Sequence, residues 1–508
     1  MKRLHILLLF LVACYAHANP KLVSMFNTMD VDRNDRVTKI EFRDFWLNHF
    51  HKRDTDGDGF LKADAYSETL SAIIDTNRDG RFQESEEEAF RMLHFEQMDT
   101  DKSLELSLEE MTAQRPTIKT VREPKDEKSA MSDLAQIEAL AYLTALPNMW
   151  SAGRNDSTED LQAIYFDGLD WKGKETKVFA WLGLPKDRSS NVPGIVLVHG
   201  GGGTAYKDWV QRWVDRGYAA ISIAVEGQTD IPVEGATHQW ESHEWAGPAR
   251  VGIYGDSAEP IKDQWMYHAV ANTILANSVL RSWDGVDADK VGIMGISWGG
   301  VITSTVIGLD SRFAFAIPAY GCGGLATAKN QYGRSLGNNV VYQETWDPVL
   351  RLGRVKAPTL WLSWPGDEHF PMEQLAISYG AMEVDHSLAL IPGLRHGHGP
   401  PQMRPESYAF ADSVTKEGAA WGRTSGHSLK GQLFEVTFQS SRKLDAATLI
   451  YTTSTSASGS REWFEAPAEL NKGAGQTWTA QASLPANVTA YFINVQSGDL
   501  IASSDYQE

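Results

Sequence analysis

A serine flanked by glycines at the end of an apolar run constrains this chain more than any other feature. Residues 291–294, Val-Gly-Ile-Met, predict a buried strand, and residues 301–309 predict a helix that packs on the same sheet. Between them lies Gly295-Ile-Ser-Trp-Gly299, a Gly-x-Ser-x-Gly pattern in the strand–turn–helix context it requires. Side chains in place of the glycines would collide with neighbouring strands. The context therefore favours a nucleophilic Ser297 at the start of a helix over a simple Gly/Ser loop.

A serine hydroxyl becomes a nucleophile only when a base takes its proton and a carboxylate orients that base. With this turn, the acid and then the histidine are expected downstream, each after its own strand. The predicted strand 359–363 leads to Asp367, our candidate acid, with Glu368 as the reserve. The next predicted strand leads to two histidines separated by one glycine. Because of its distance from that strand and the glycine after it, His396 is preferred as the base, and His398 remains the alternative.

The developing oxyanion needs N–H donors. One is the backbone amide of Trp298, the residue after the serine. The other is expected in the loop 199–204, His-Gly-Gly-Gly-Gly-Thr, where we name Gly201 and Gly202 because glycines let backbone amides approach a charge closely. A phosphate-binding loop is the alternative, but no Gly-Lys-Ser/Thr ending supports it. His199 is predicted to be a structural residue of this loop.

These motifs carry a family resemblance. The chain resembles secreted α/β-hydrolases of the acetylxylan esterase, dienelactone hydrolase and prolyl-oligopeptidase-like families. The resemblance lies in four segments: Val198-His-Gly-Gly-Gly-Gly203, Gly295-Ile-Ser-Trp-Gly-Gly300, Asp367-x-x-x-Pro371 and His396-Gly397. The resemblance covers roughly residues 160–423. It implies an α/β-hydrolase fold with a mostly parallel, doubly wound sheet, and hydrolysis of acyl esters through an acyl-enzyme without an organic cofactor.

An Asp-rich loop recurs four times between residues 20 and 114. Three copies have oxygen-bearing side chains at positions one, three and five and a glutamate at position twelve, the pattern of a calcium-binding EF-hand loop. The copy that begins at Asp54 ends in Ala65 and is predicted to bind Ca²⁺ weakly or not at all. The predicted ligand positions are Asp30, Asp32, Asn34, Arg36 and Glu41; Asp54, Asp56 and Asp58; Asp75, Asn77, Asp79, Arg81 and Glu86; and Asp99, Asp101, Ser103, Glu105 and Glu110.

The alternative to calcium sites is a solvated acidic surface, but four copies in one register favour the EF-hand interpretation. Apolar residues at the eighth position, Val37, Phe82 and Leu106, predict short strands that pair the loops. The loops begin about two dozen residues apart, so the connecting helices are expected to be short or shared. We interpret the calcium as structural and permanently bound.

The first residues predict export. A positive start and a short apolar run precede Ala16-His-Ala18, a cleavage site typical of a secretory signal peptide. A lipoprotein signal ending at Cys14 is the alternative. Only Cys14 and Cys322 are present, so cleavage after Ala18 leaves no internal disulfide, and Cys322 is predicted to be a small buried residue. The net charge of −19 disfavours nucleic acid and anionic membranes as partners, and no later segment is long and apolar enough to span a bilayer.

The pattern along the chain predicts five parts: a signal peptide (1–18), an all-α EF-hand domain (19–115), a linker with a lead-in helix (116–150), an α/β-hydrolase domain (151–424) and a small β-sandwich (425–508).

An insertion before the long helix predicted at 264–281 contains Trp240 and Trp245, which either stack on a sugar ring or simply pack the loop. The leading hypothesis is a secreted serine esterase that removes acyl groups, with acetyl preferred, from a polysaccharide or small ester. The alternatives are a prolyl-oligopeptidase-like serine peptidase and a calcium-dependent binding protein with an inactive hydrolase core. The sequence does not define the oligomeric state.

Overall fold

The computed structural model describes residues 20–55, 59–62, 74, 81–101, 103, 105–112, 133–187, 190–419 and 422–508. The chain divides into two compact units, Met1–Ala135 and Gln136–Glu508, which are described separately below. Several predicted features lie outside the described residues: the signal segment 1–18 with Cys14, the linker residues 116–132, and the loop positions Asp56, Asp58, Asp75, Asn77 and Asp79.

The N-terminal unit alternates helices with two-residue strands. Its described elements are α1 (Pro20–Met29), β1 (Val37–Thr38), α2 (Lys39–Arg53), β2 (Phe60–Leu61), β3 (Phe82–Gln83), α3 (Glu84–Met98), β4 (Glu105–Leu106) and α4 (Leu108–Thr112). Short strands were predicted at the apolar residues in the eighth position of the loops. Val37, Phe82 and Leu106 are buried and lie in paired strands, as predicted. β1 pairs with β4 and β2 pairs with β3, so the first loop is joined to the last and the two middle loops to each other.

The helices α2 and α3 are shared between consecutive loops, as the close spacing predicted. Each ends on the residue directly before the next loop, at Arg53 and Met98. The start of α2 is fixed by a capping box, in which Thr38 Oγ1 accepts the Glu41 amide and Glu41 Oε2 accepts the Thr38 amide (3.2 and 2.9 Å). The twelfth loop position thus also caps the helix that leaves the loop.

In its described residues the larger unit contains one sixteen-stranded sheet flanked by helices and a separate two-stranded sheet. Its helical elements are α5 (Asp133–Glu138), α6 (Lys207–Val214), α7 (Trp265–Arg281), α8 (Trp298–Val306), α9 (Gln331–Leu336), α10 (Val349–Leu352), α11 (Met372–Gly380), α12 (Gly399–Gln402) and α13 (Pro405–Thr415), with 3₁₀ turns at Ala139–Tyr142, Ile261–Asp263, Leu325–Thr327 and Ser458–Ser460 and a π turn at Tyr342–Trp346. Its strands are β5 (Met149–Ser151), β6 (Leu161–Asp167), β7 (Lys177–Gly183), β8 (Val192–Val198), β9 (Ala219–Ile223), β10 (Gln228–Pro232), β11 (Trp240–Ser242), β12 (Val286–Ile296), β13 (Ala316–Ala319), β14 (Thr359–Ser363), β15 (His386–Leu390), β16 (Arg423–Lys430), β17 (Leu433–Gln439), β18 (Ala446–Thr452), β19 (Phe464–Lys472), β20 (Thr477–Ser483), β21 (Ala490–Ser497) and β22 (Leu500–Ser503).

The order of the central strands defines an α/β-hydrolase fold. From one edge the order is β5-β6-β7-β9-β8-β12-β13-β14-β15, and the pairs from β9 to β15 are parallel while β5, β6 and β7 pair antiparallel. Parallel strands buried on both faces need nearly continuous apolar sequence. β9 (Ala-Ala-Ile-Ser-Ile) and β14 (Thr-Leu-Trp-Leu-Ser) satisfy this and are buried throughout.

The long helix α7 is buried on all sides except at its final residue. It packs on β8, β9 and β12, and the segment containing Ile137 and Leu140, both at most 1 % exposed, is part of the same core. Ser278 Oγ of α7 donates a hydrogen bond to the carbonyl of Thr144 at 3.1 Å. The lead-in segment before β5 therefore belongs to the core of this unit.

The C-terminal strands are antiparallel and continue the central sheet. β22 pairs with β15 at Leu388 and Ser503, and the order then runs β22-β21-β18-β19-β20-β17-β16. β19 pairs with β18 through one half and with β20 through the other. Alternating apolar and polar residues predict strands at 432–439, 447–453, 477–482 and 490–495, and the structure has β17, β18, β20 and β21 there. The strands β16, β19 and β22 were not predicted. A separate sandwich domain that begins at residue 425 stays a prediction.

Two further observations bear on the sequence expectations. Cys322 is fully buried, as predicted, and burial raises the pKa of its thiol. In the part of the chain that the structure describes, no helix combines the length and the apolar character needed to cross a membrane.

Candidate active site

Ser297 lies at a sharp turn between β12 and α8. Its backbone has φ +59° and ψ −118°, a region that a non-glycine residue enters at a cost on the order of 1–3 kcal/mol. A Cβ on Gly295 would stand 2.0 Å from the Gly299 carbonyl oxygen, and one on Gly299 would stand 2.2 Å from the Val198 oxygen. Glycines are therefore required on both sides of the serine, as the motif predicted.

The structure brings the predicted serine, histidine and carboxylate together. Ser297 Oγ lies 3.0 Å from His396 Nε2, and His396 Nδ1 lies 2.8 Å from Asp367 Oδ2. The carboxylate of Asp367 is fully buried, and its other oxygen accepts the amides of His369 and Phe370 at 2.8 and 2.9 Å. These bonds fix the carboxylate, so a neutral His396 donates from Nδ1 to Asp367 and accepts the serine proton at Nε2.

Aromatic rings hold His396 in place. The Tyr320 ring centroid lies 4.5 Å from the imidazole, and Phe370 stacks on it at 5.9 Å with an interplanar angle of 17°. The Tyr320 hydroxyl also donates to the Arg395 carbonyl at 2.6 Å. Tyr320 and Arg395 both have positive φ (64° and 61°). The hydrogen bond therefore connects two residues in left-handed backbone conformations, one of which directly precedes His396.

His398, the alternative base, contacts the glycine-rich loop instead of the serine. Its Nε2 accepts the amide of Gly200 at 3.1 Å, and its Nδ1 lies 3.5 Å from the Tyr206 hydroxyl. Burial lowers the pKa of His398, which favours the neutral ring that such an acceptor needs. A Cβ on Gly200 would lie 2.8 Å from the Ser297 Cβ, so His398 holds the part of the loop that touches the nucleophile.

The three backbone amides predicted to donate to the oxyanion differ in how well they are placed near Ser297. Trp298 is the first residue of α8, so its amide has no partner within the helix. In the described part of the chain the Gly201 amide also has no hydrogen-bond partner, and a Cβ there would lie 3.1 Å from Trp298 Cδ1. Gly202 (φ +70°) faces His238 instead. Gly201 and Trp298 are thus the better placed pair, and the role of Gly202 stays a prediction.

His199 has the structural role that was predicted. It is fully buried, and its Nε2 lies 3.0 Å from both the Val225 amide and the Gln228 side-chain nitrogen. Burial lowers its pKa to about 3, so it remains neutral. The imidazole ties the glycine-rich loop to the segment that follows β9.

The two tryptophans of the insertion differ in position. Trp240 Nε1 donates to the Gly202 carbonyl at 3.0 Å, which places its half-buried ring at the glycine-rich loop. Trp245 contacts Tyr165 (ring centroids 5.6 Å apart) and Lys177, whose ammonium lies 4.2 Å from the ring centroid. Trp240 remains a candidate sugar-binding residue. Trp245 packs against neighbouring side chains, which was the alternative to stacking on a sugar.

Two features near the site were not predicted. Arg250 lies beside the glycine-rich loop, where its Nη2 is 2.7 Å from the position of a Cβ on Gly201. The loop between β18 and β19 packs on the acid loop, because a Cβ on Gly459 would lie 2.5 Å from the Asp367 carbonyl oxygen. These contacts join residues more than 40 positions apart, and local sequence patterns carry no signal for them.

In the N-terminal unit, two of the predicted loops gather carboxylates. Asp30, Asp32 and Glu41 each offer an oxygen within 4.8 Å of the others, and so do Asp99, Asp101 and Glu110. The remaining predicted positions that the structure describes are Asn34, Arg36, Asp54, Arg81, Glu86, Ser103 and Glu105. The donor set consists of hard oxygens, which fits calcium.

Backbone amides hold these loops in a turned shape. Asn34 and Asp35 donate to the two oxygens of Asp30 at 3.0 Å each, and Val31 donates to Glu41 at 2.8 Å. Asp35 has φ +62° where a glycine is usual. In the last loop, burial raises the pKa of Glu110, but hydrogen bonds from Ser107 and Thr100 outweigh it and lower the value to about 2.

We expect removal of the His398 side chain to lower kcat by roughly 10-fold, because it loosens a loop that carries an oxyanion donor without removing the donor. His398→Gln, which retains an acceptor, should recover part of the loss. Burial lowers the pKa of His398 in the folded state below its ordinary value of 6.5. The unfolded chain therefore binds a proton more readily than the folded one, and lowering the pH below 6.5 should also lower the stability of the folded protein. Rates from pH 5 to 8 and thermal melts of His398→Ala and His398→Gln check this. A loss as large as that of a His396 variant would contradict the assignment.

Two family models and several solved structures are similar to parts of this chain. Residues 102–322 match the family model "Acetyl xylan esterase (AXE1)", and residues 252–413 match that of the prolyl oligopeptidase family. Among solved structures, an acetyl xylan esterase from Paenibacillus sp. R4 shares 20 % identity over 57 % of this chain and 97 % of its own (TM-score 0.45). Acetyl xylan esterase 1 from Thermoanaerobacterium sp. JW/SL YS485 shares 19 % identity over 56 % and 93 % (TM-score 0.44). The acylaminoacyl peptidase of Pyrococcus horikoshii shares 20 % over 51 % and 43 % (TM-score 0.38).

The acetyl xylan esterase match covers the nucleophile turn and the glycine-rich loop, which are the two parts that meet at Ser297. The chain is a serine carboxylic ester hydrolase with an α/β-hydrolase fold.

Proposed function

We propose that this chain is a secreted esterase that removes acetyl groups from a polysaccharide, with Ser297 as nucleophile, His396 as general base and Asp367 as the group that orients the histidine. The observation that carries the proposal is the continuous contact from Ser297 Oγ through His396 to the buried Asp367 carboxylate, at 3.0 and 2.8 Å. The match to the acetyl xylan esterase family supports the acetyl group and the polysaccharide.

The reaction follows from these contacts. His396 Nε2 takes the hydroxyl proton as Ser297 Oγ attacks the ester carbonyl carbon. The π electron pair of the C=O bond moves to the carbonyl oxygen, which becomes the oxyanion. The imidazolium then gives this proton to the alcohol oxygen of the sugar, whose bond to the acyl carbon breaks. A water molecule, deprotonated by the same nitrogen, then attacks the acyl carbon. The bond from this carbon to Ser297 Oγ breaks, Oγ takes the proton back from His396, and the carboxylic acid leaves. Asp367 stabilises the imidazolium in both halves without itself becoming protonated.

The oxyanion is proposed to lie between the amides of Gly201 and Trp298. Donors fixed before the reaction stabilise the developing charge without reorganisation. Two local observations support this placement: the Trp298 amide has no partner within its helix, and a Cβ on Gly201 would lie 3.1 Å from Trp298 Cδ1. His398, through Gly200, keeps this loop against the serine.

A serine peptidase is the second candidate, and the match of residues 252–413 to the prolyl oligopeptidase family favours it. The same three residues would serve both reactions, because attack on an ester and on an amide pass through similar intermediates. The substrate therefore has to be identified by experiment. The calcium-dependent binding protein with an inactive core is disfavoured by the intact serine–histidine contact.

The test is a parallel assay of 4-nitrophenyl acetate, acetylated xylan and a chromogenic peptide amide, together with labelling by a fluorophosphonate. We expect release of acetate from the polymer and the aryl ester, and covalent labelling of Ser297. Faster cleavage of the amide than of the aryl ester would replace the esterase by the peptidase. Absence of labelling would favour the inactive core.

Calcium is proposed as a structural cofactor of the N-terminal unit. Asp30, Asp32 and Glu41 bring three carboxylates within 4.8 Å, and a hard divalent cation would offset their repulsion. The second carboxylate cluster, with Asp99 and Glu110, has the same composition. The cation would link the start of each loop to the helix that follows, because the twelfth-position glutamates Glu41 and Glu110 stand in those helices.

Chelation is expected to lower the melting temperature of the N-terminal unit by roughly 10 °C or more, since a ligand at 100 times its Kd contributes about 2.7 kcal/mol. Near-UV circular dichroism and melting of the full chain in EDTA and in CaCl₂ measure the effect. The double variant Glu41→Gln/Glu110→Gln should have a lower melting temperature in CaCl₂ than the wild type, as EDTA is expected to cause in the wild type. Identical spectra and melting in EDTA and CaCl₂ would refute a structural calcium.

Export is proposed from residues 1–18, with the lipoprotein form at Cys14 as its variant. Mass spectrometry of the mature protein distinguishes them, because cleavage after Ala18 leaves an unmodified Asn19 at the terminus.

A further inference from the structure

Arg250 lies in the insertion between β9 and α7 and faces the predicted oxyanion donors. Its guanidinium carbon stands 5.1 Å from the ring centroid of Trp298, and its Nη2 lies 2.7 Å from where a Cβ on Gly201 would be. The side chain is 21 % exposed, so it is held in place yet open to a ligand. A positive charge at this point is notable on a chain with a net charge of −19.

Two of the three guanidinium nitrogens are engaged by the protein. Nε donates to Glu226 Oε1 at 3.3 Å, and Nη1 donates to the Gly252 carbonyl at 2.7 Å. In the described part of the chain Nη2, which carries two hydrogens, has no partner. The hydrogen bond to Glu226 and the contact with the Trp298 ring thus orient the guanidinium. They leave Nη2 facing the glycine-rich loop, at Gly201.

A second free donor flanks the same tryptophan. The Tyr332 ring centroid lies 5.7 Å from that of Trp298, and its hydroxyl has no hydrogen-bond partner among the described residues. Burial raises the pKa of Tyr332, while Arg250 acts in the opposite direction, as expected for neighbouring groups. A phenol that stays protonated is a hydrogen-bond donor, so Arg250 and Tyr332 present two donors from different elements.

We propose that Arg250 and Tyr332 bind a carboxylate carried by the ester substrate, next to Ser297. This rests on the proposed esterase function and specifies its substrate as an acidic ester, such as an acetylated sugar beside a uronic acid. A guanidinium and a phenol hydroxyl match the acceptor oxygens of a carboxylate. The alternative role for Arg250, direct stabilisation of the oxyanion, fits less well. The position against the Ser297 Cβ is taken by Gly200, and Arg250 stands one residue further along the loop.

The experiment uses two pairs of esters, and in each pair one member carries a carboxylate that its partner lacks. 3-Acetoxybenzoate and its methyl ester place the charge on the alcohol side, and mono(4-nitrophenyl) adipate and 4-nitrophenyl hexanoate place it on the acyl side. For each variant the readout is the ratio of kcat/KM for the anionic ester to that for its neutral partner. Arg250→Gln is expected to lower this ratio about 10-fold in one pair, mainly through KM, because a hydrogen bond to a charged group is lost.

Several variants separate this role from a structural one. Arg250→Lys, which keeps the charge, should restore part of the ratio, and Tyr332→Phe should lower it without removing a charge. Arg334→Gln, on the exposed face of α9, is the control that should leave the ratio at the wild-type value. Near-UV circular dichroism shows whether each variant folds, and Tyr332→Phe keeps the proposal testable if Arg250→Gln does not.

A ratio that changes less than 3-fold in both pairs for Arg250→Gln and Tyr332→Phe would overturn the proposal. An equal fall of kcat on all four esters would do so as well and would assign Arg250 to the oxyanion. Failure of the wild-type protein to hydrolyse any of the four esters would instead count against the esterase function itself.

Discussion

Ser297→Ala is expected to lower kcat on 4-nitrophenyl acetate by roughly 10⁴- to 10⁶-fold, because the oxygen that attacks the ester is removed and no other nucleophile replaces it. Among the described residues, the hydroxyl recorded within hydrogen-bond distance of His396 Nε2 is that of Ser297, at 3.0 Å. Fluorophosphonate labelling should disappear with the activity. KM should change little, since the groups proposed to bind the substrate remain.

The control for this variant is Ser304→Ala, in the same helix α8. Ser304 is fully buried, and its Oγ donates to the Gly300 carbonyl at 2.8 Å, away from the histidine. We expect its activity to stay within a few-fold of the wild type. If Ser297→Ala kept more than a tenth of the wild-type kcat, the assignment of the nucleophile would be wrong.

Ser297→Gly should separate catalysis from stability. The residue has φ +59°, so glycine would relieve strain on the order of 1–3 kcal/mol and lose part of this gain to the larger entropy of the unfolded chain. An inactive variant that melts at a higher temperature is therefore expected. A lower melting temperature would show that the serine side chain stabilises the turn despite its conformation.

The candidate site was largely predictable because its parts follow strand ends. The motif around Ser297 and the order of the later strands place an acid near residue 367 and a histidine near residue 396. The choice between His396 and His398 required the structure. It depends on the positive φ of Arg395, whose carbonyl is held by the Tyr320 hydroxyl. Arginine has no special preference for that conformation, so the sequence carries no sign of it.

The strand predicted at 359–363 has the bounds of β14, since burial on both faces leaves a continuous apolar run. The strands that were missed lack such a signal. β16, Arg-Thr-Ser-Gly-His-Ser-Leu-Lys, is mostly exposed. β19 contains Pro467 and the charged residues Glu465, Glu469 and Lys472. β12 begins five residues earlier than predicted, at Val286, because the buried Val286 pairs with Val192. A register shift separates this pair from the next one, Val291 with Gly194. Pairing between distant segments, and not local composition, defines these boundaries.

The C-terminal strands support the site as well as the sheet. Arg461, almost fully buried, pairs with Glu373 at the start of α11 (3.3 Å), and Gly459 contacts the backbone of Asp367. The acid loop is thus enclosed between its own helix and a loop that arrives about 90 residues later. Its rigidity explains how one oxygen of Asp367 can accept two amides while the other faces His396.

Asp367→Asn is expected to lower kcat by about 10³- to 10⁴-fold with little change in KM, because an amide no longer stabilises the imidazolium or favours the tautomer with a free Nε2. The side chain is fully buried, so no water or neighbouring charge replaces the lost carboxylate. The matched control is Glu368→Gln, the adjacent carboxylate that sequence alone left as the reserve. Glu368 is exposed, and its variant should retain at least a third of the wild-type rate. Comparable losses in the two variants, or a larger loss for Glu368→Gln, would show that Asp367 is not the group that orients His396.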